Sequence, residues 1–155
     1  MNDHRDEENI RAQLAELPCA CSNLRRASRA VTQLYTRELS QVGLKPTQFT
    51  SLMALSLLGP MPQGELAGRL AIDSTTLTRT LAPLIRKGWI LSETGEDRRE
   101  RVLQLTSSGR DCLEKAKPCW KRAQGRILQT LGLSEWETLQ ESLVTITHVA
   151  RHLRP

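Results

Sequence analysis

Apolar residues recur at helical spacing through most of the chain. Leu24, Ala27, Val31, Leu34 and Leu39 share one face of a predicted first helix, with Arg25, Arg26, Arg29 and Arg37 mostly elsewhere, and Gly43 closes it. Thr47 to Leu58 reads as a strongly apolar second helix, stopped by Gly59-Pro60. Gln63 to Leu70 is a short third, with Leu66, Ala67 and Leu70 on one side. Asp73 or Ser74 caps a fourth, whose apolar positions Leu77, Leu81, Leu84 and Ile85 run toward a Lys87-Gly88 stop. Pro83 inside it predicts a mild kink.

The period then changes. Trp89-Ile90-Leu91 and Val102-Leu103-Gln104-Leu105 are short β-type runs around a charged stretch containing Gly95. Thr106 caps a fifth helix with Leu113, Ala116, Trp120, Ala123, Ile127 and Leu131 on its stripe. Ser134 is expected to cap a sixth, where Trp136, Leu139, Leu143, Ile146, Ala150 and Leu153 alternate by three and four. Such a coiled-coil-like seam is more apolar surface than a terminal helix of a small monomer needs. A second copy of the chain is the simplest partner.

The 155 residues suffice for one domain with a sizeable core. The chain is expected to divide into a flexible or weakly helical lead-in (1–18), with a turn or two of helix around Ile10 to Leu17, a first dimerisation helix (19–43), a central unit (44–110) and C-terminal dimerisation helices (111–155). Charge sharpens this division. The net charge is +5, yet residues 1–18 carry −3 and the remainder +8, so the bulk of the chain favours an acidic partner such as nucleic acid. No apolar run approaches the roughly 20 residues of a membrane span, and the acidic N-terminus has no signal-peptide core, so a cytoplasmic protein with reduced cysteines is expected. No Gly-rich phosphate loop, paired carboxylates or Ser/His/Asp arrangement suggests an enzyme, and no cofactor is implied.

Two short helices joined by Ala71-Ile72-Asp73 and followed by a hairpin have the layout of a winged helix-turn-helix, in a mainly α fold. The fourth helix opens DSTTLTRTL, crowding an exposed face with short hydroxyls that are mediocre helix formers. A helix entering the major groove needs short side chains for close approach, and hydroxyls both donate and accept. Ser74, Thr75, Thr76 and Thr78 lie in its first turns, where the helix N-terminus also favours phosphate. Arg79 is the side chain suited to a bidentate guanine contact, and Arg86 and Lys87 extend the cationic surface. The hairpin tip GEDRRERV offers Arg98, Arg99 and Arg101 beside Asp97. A wing Arg in the minor groove fits that context. The bland alternatives are a capping region without ligand and a solvated mixed-charge loop.

The run LAGRLAIDSTTLTRTLAPLIRKGWI, followed by DRRERVLQLTSSGR, resembles the MarR family of bacterial transcription regulators. Its wing signature is met by Asp97, Arg99, Leu105, Thr106, Gly109 and Arg110. The resemblance implies a homodimer built from N- and C-terminal helices, two winged domains reading a pseudo-palindromic operator, and most often repression. It also implies that Asp97 orients the wing by pairing with Arg, and that Arg99 approaches the minor groove of double-stranded DNA.

The signal that releases such a protein stays open between three readings. Cys19 and Cys21 open the first helix, and Cys112 and Cys119 lie two turns apart on the fifth, so an oxidised thiolate pairing with a second Cys is one switch; similar proteins include peroxide sensors with a Cys near the start of the first helix. Buried Cys as plain packing is its bland counterpart. Cys19-x-Cys21 and the His148/His152 pair suit a metal only loosely, and no metal site is expected. A small aromatic or phenolic ligand, as implied by similar proteins, would lie between dimer helices and reading head, near Arg29, Tyr35 and the second helix. A winged-helix protein-interaction module without DNA binding remains the alternative of a different class.

Overall fold

The computed structural model describes residues 3–16, 18–95, 97 and 99–153. Seven α-helices and three short strands follow in the order α1 (Asp3–Glu16), α2 (Ala20–Leu39), α3 (Pro46–Leu58), β1 (Met61–Pro62), α4 (Gln63–Leu70), α5 (Ser74–Arg86), β2 (Ile90–Thr94), β3 (Arg101–Leu105), α6 (Ser107–Leu131) and α7 (Leu133–His152). A 3-10 turn, Ser40–Val42, and left-handed Gly43 close α2. The lead-in is more ordered than its composition suggests: residues 3–16 form one helix, tied to α2 where Arg26 Nη1 donates to Gln13 Oε1 at 2.7 Å. Leu17, the last residue of the turn expected there, lies outside the described residues.

The central unit is a winged helix-turn-helix with one strand more than the hairpin the sequence shows. The sheet order is β1-β3-β2, antiparallel throughout, with Met61 paired to Leu103 and Ile90 to Leu105. β1 is two residues long, too short for a period-2 signal, and exists because β3 offers it an edge. Leu103 and Leu105 point from β3 into the core, where they meet Leu52 and Leu55 of α3, Leu66 of α4 and Leu77, Leu81 and Leu84 of α5. Burying each such leucine contributes about 1.5–3 kcal/mol.

Three local devices orient α5. Ala71 ends α4 in the left-handed region at φ 53°, turning the chain in three residues. Asp73 caps α5: its carboxylate accepts the Thr76 N–H at 2.8 Å and the Thr76 hydroxyl at 2.6 Å. The helix then runs through Pro83 to Arg86, and the Lys87 N–H returns to the Pro83 carbonyl at 3.1 Å. The cap of α7 differs from expectation. Gly132 occupies it without a side-chain bond, and Ser134 falls inside the helix.

The exit of α5 is clamped to the start of α6. The Trp89 carbonyl accepts the Thr106 N–H at 3.1 Å, and the Thr106 hydroxyl donates to the Gly88 carbonyl at 2.7 Å while accepting the Gly109 N–H at 3.0 Å. Ser108 Oγ donates to the same Gly88 carbonyl at 2.9 Å. Gly109 has to be glycine, because a Cβ there would stand 2.1 Å from the Trp89 oxygen. α6 in turn packs along α2 and α3 through Leu113, Ala116, Cys119 and Ala123, all buried. Phe49 of α3 stacks on Trp120 with ring centroids 6.1 Å apart. Beside them, Arg122 Nε donates to Glu38 Oε2 at 2.8 Å, joining α6 to α2.

Two consequences are measurable. Gly109→Ala is expected to destabilise the fold by about 2–3 kcal/mol, or more if the clamp opens, as read by urea denaturation. Hydrogen bonds from Thr76 hold the Asp73 carboxyl below its ordinary value. A depressed carboxyl pKa contributes stability above the unfolded value and loses it as pH falls through the folded one. The stability difference between the parent chain and Asp73→Asn is therefore expected to be constant near neutrality and to shrink on acidification as Asp73 is protonated. A difference that grows toward low pH would contradict the assignment.

Candidate nucleic-acid interface

Opposite its buried leucines, α5 presents Ser74, Thr75, Thr76, Thr78 and Arg79 to solvent, all exposed. The hydroxyls are less free than their exposure suggests. Thr76 donates to Asp73, Thr78 to the Ser74 carbonyl at 2.8 Å, and Thr80 to the Thr76 carbonyl at 2.9 Å. Thr78 also accepts from Gln63 Nε2 at 2.9 Å, which ties the first residue of α4 to the middle of α5. With their protons directed inward, Thr76 and Thr78 offer outward methyl groups and oxygen lone pairs. The Asp73 carboxylate also occupies the positive end of the helix, so a phosphate at that end meets a charge already in place. This qualifies the expectation that the N-terminus itself attracts phosphate.

Among the cations, Arg79 and Arg86 are exposed and enter none of the ion pairs formed by the described residues. Lys87 is exposed as well, but its Nζ rests over the Trp89 ring, 4.4 Å from the centroid. In the wing, Arg101 turns back across the hairpin. Its Nη2 donates to the Ser92 carbonyl at 2.9 Å, and Nε and Nη1 reach the hydroxyls of Ser92 and Thr94 at 3.2 Å each. The side chain braces β3 against β2, a use invisible in sequence until the register places residue 101 opposite Thr94. Asp97 accepts the backbone N–H of Arg99 at 2.9 Å, and Gly95 N–H bonds to the Glu100 carbonyl at 3.0 Å. Asp97 thus orders the turn through the main chain; the side-chain pairing with Arg implied by the resemblance is not found among the described residues. Arg99 is exposed at the tip, and Arg98 lies outside the described residues.

Sequence reasoning missed Gln63, Ser92 and Thr94. A glutamine opening the helix before a hydroxyl-rich one was the signal available for the first. The pair needed strand register.

The other candidates separate. Cys19, the residue before α2, and Cys21 in its first turn are exposed; Cys112 is half-buried and Cys119 buried. Cys119 Sγ accepts from Arg122 Nη2 at 3.2 Å, so it belongs to the α2–α6 junction. Burial raises the Cys112 thiol above its ordinary value, against the opposing charges of Lys87 and Lys115. Tyr35 donates to Gln124 Oε1 on α6, and burial raises its phenol. It lines a cavity of about 320 Å³ with Val31, Leu39, Phe49 and Trp120, between α2, α3 and α6. Arg29 is exposed on α2, outside that lining. No cluster of three or more potential metal ligands occurs among the described residues, and no helix searched there is long and apolar enough to cross a membrane.

Comparison with known proteins converges with this geometry. The MarR family model matches residues 44–100. The HTH-type transcriptional regulator YwoH of Bacillus subtilis is 32% identical over 83 residues, which is 54% of this chain and 61% of that protein. The chain thus matches about three fifths of this relative's length. The transcriptional regulator MosR of M. tuberculosis, solved in complex with DNA, shares 35% identity at a TM-score of 0.80, covering 88% of this chain and 99% of that one. The repressor CouR, bound to a 23-mer DNA duplex, shares 30% identity at a TM-score of 0.77, covering 87% and 95%. The chain belongs to the MarR family of transcriptional regulators.

Proposed function

We propose that the protein is a homodimeric, DNA-binding repressor of the cytoplasm that reads a pseudo-palindromic operator with residues 73–87 and a basic wing, 92–101. One observation carries the reading. α5 buries Leu77, Leu81 and Leu84 almost completely while holding outward short hydroxyls and Arg79, which enters no ion pair among the described residues. Such a face adds nothing to the apolar core and suits close approach to base edges. The DNA-bound relatives MosR and CouR support it. Ser74, Thr75, Thr76, Thr78 and Arg79 would meet the major groove, Arg86 the flanking phosphates, and Arg99 the minor groove. Lys87 serves as a phosphate contact only after leaving Trp89, and Arg101 acts through the shape of the wing.

The apolar seam of α7 supports dimerisation. Of its seam, Leu139 and Leu143 are 39% and 42% exposed in the single chain, and none of the other seam residues is buried. Leu24 and Val31 of α2 are similarly exposed. Catalysis has no part in this reading. Release belongs to a small apolar effector in the Tyr35 cavity or to the exposed Cys19 and Cys21.

Arg79→Ala is expected to weaken binding to the preferred duplex by about 1–3 kcal/mol and to relax sequence preference, measured by competition against a randomised pool. Arg99→Ala should weaken all duplexes more evenly and reduce the salt slope by about 1. If both leave duplex binding unchanged, the interface is misplaced. For the thiol branch, hydrogen peroxide is expected to lower duplex affinity about tenfold or more in the parent chain, and not in Cys19→Ser/Cys21→Ser. An equal loss in both would move the signal elsewhere.

A further inference from the structure

His148 and His152 stand one turn apart on α7, both exposed, with ring centroids 4.0 Å apart and planes tilted by 36°. Spacing alone makes such a pair a loose fit for a metal; the ring arrangement tightens it. His152 Nδ1 lies 2.9 Å from the His148 carbonyl oxygen. A carbonyl only accepts, so Nδ1 carries the proton, and in the neutral ring Nε2 keeps its lone pair. The same bond fixes the ring, as a backbone carbonyl commonly does behind a metal-bound histidine. At 3.6 residues per turn, both residues fall on the face of α7 opposite Leu139, Ile146 and Ala150 of the seam. A copy of the chain seated on the seam leaves them open. Val144 and Thr147 line the same open groove, of about 480 Å³, which leaves room for water around an ion. The pair also lies in the last turns of the helix, whose negative end favours a cation.

We infer that His148 and His152 form a chelating site for a borderline divalent transition ion, represented by zinc, each imidazole giving its Nε2. Two imidazoles one helical turn apart can reach a single ion at about 2.0–2.1 Å. Such nitrogens select zinc, nickel or copper over magnesium and calcium, which prefer oxygen. No third ligand joins the pair among the described residues, so water completes the coordination. Val149 follows His148 where a hydrolytic pair of this spacing carries its glutamate base, so the ion is bound without catalysis. By joining residues four apart, it staples the end of α7.

Zinc alone is the probe. It is added to the full, reduced chain carrying Cys19→Ser/Cys21→Ser, which removes the exposed thiols, and the imidazole nitrogens are followed by long-range proton–nitrogen NMR. Nε2 of His148 and of His152 are expected to shift together, saturating at one ion per chain below millimolar zinc, while magnesium moves neither. His148→Gln and His152→Gln, both changes at exposed positions, assign the signals. Each should weaken zinc binding at the remaining ring about tenfold or more. No shift by millimolar zinc, a shift at one ring only, or ligation through Nδ1 of His152 would overturn the site. So would saturation at half an ion per chain, which means ligands shared between copies, or an affinity unchanged in both variants. Since no duplex is present, none of these outcomes depends on the DNA-binding reading.

Discussion

Gly88 and Trp89 turn the end of α5 into β2, the first strand of the wing, and their two carbonyls hold the start of α6. Thr106 and Ser108 converge on these oxygens, and the missing side chain at Gly109 lets the helix come near enough to reach them. α5, wing and α6 are thereby fixed by hydrogen bonds within a few residues of one peptide. The hydrophobic core beneath is continuous, but apolar contact alone has no direction. The clamp supplies it, setting the angle at which α5 and the wing project from α6.

Around that joint the polar side chains divide into those spent on the fold and those left available. Arg101, Arg122, Gln63 and Asp97 are all engaged, and each holds one element against another or shapes a turn. Arg79 and Arg99 lie exposed on the helix face and at the wing tip. In a chain with a positive excess, residue type alone does not separate the two groups. Position on the register does: Arg101 faces Thr94 across the hairpin, whereas Arg99 sits two residues nearer the tip and, among the described residues, commits only its main chain.

The fold was legible in the sequence wherever periodicity and caps acted together. Thr106 accepts from Gly109 and Asp73 from Thr76, and the α4 bounds, Gln63–Leu70, coincide with the expected ones. The exposed hydroxyl face of α5 was legible for the same reason, since hydroxyls on a helix with a good apolar stripe stand out. What escaped were features made by tertiary pairing. β1 is two residues that become a strand only beside Leu103, and Arg101 is a brace only once the hairpin closes. Cys112 and Cys119 look alike in sequence, two turns apart, yet one lines a cavity and the other lies under Arg122.

The inward bonds of Thr76 and Thr78 carry a chemical consequence. A side chain whose proton is already committed to its own backbone or to a neighbouring carboxylate cannot donate outward, so those positions answer only to hydrogen-bond donors and to nonpolar bulk. Against a base-pair edge, that selects the exocyclic amines of adenine and cytosine and the 5-methyl of thymine over the bare acceptors of guanine. At these two positions the hydrogen-bonding polarity is therefore set by helix formation, before any partner is met.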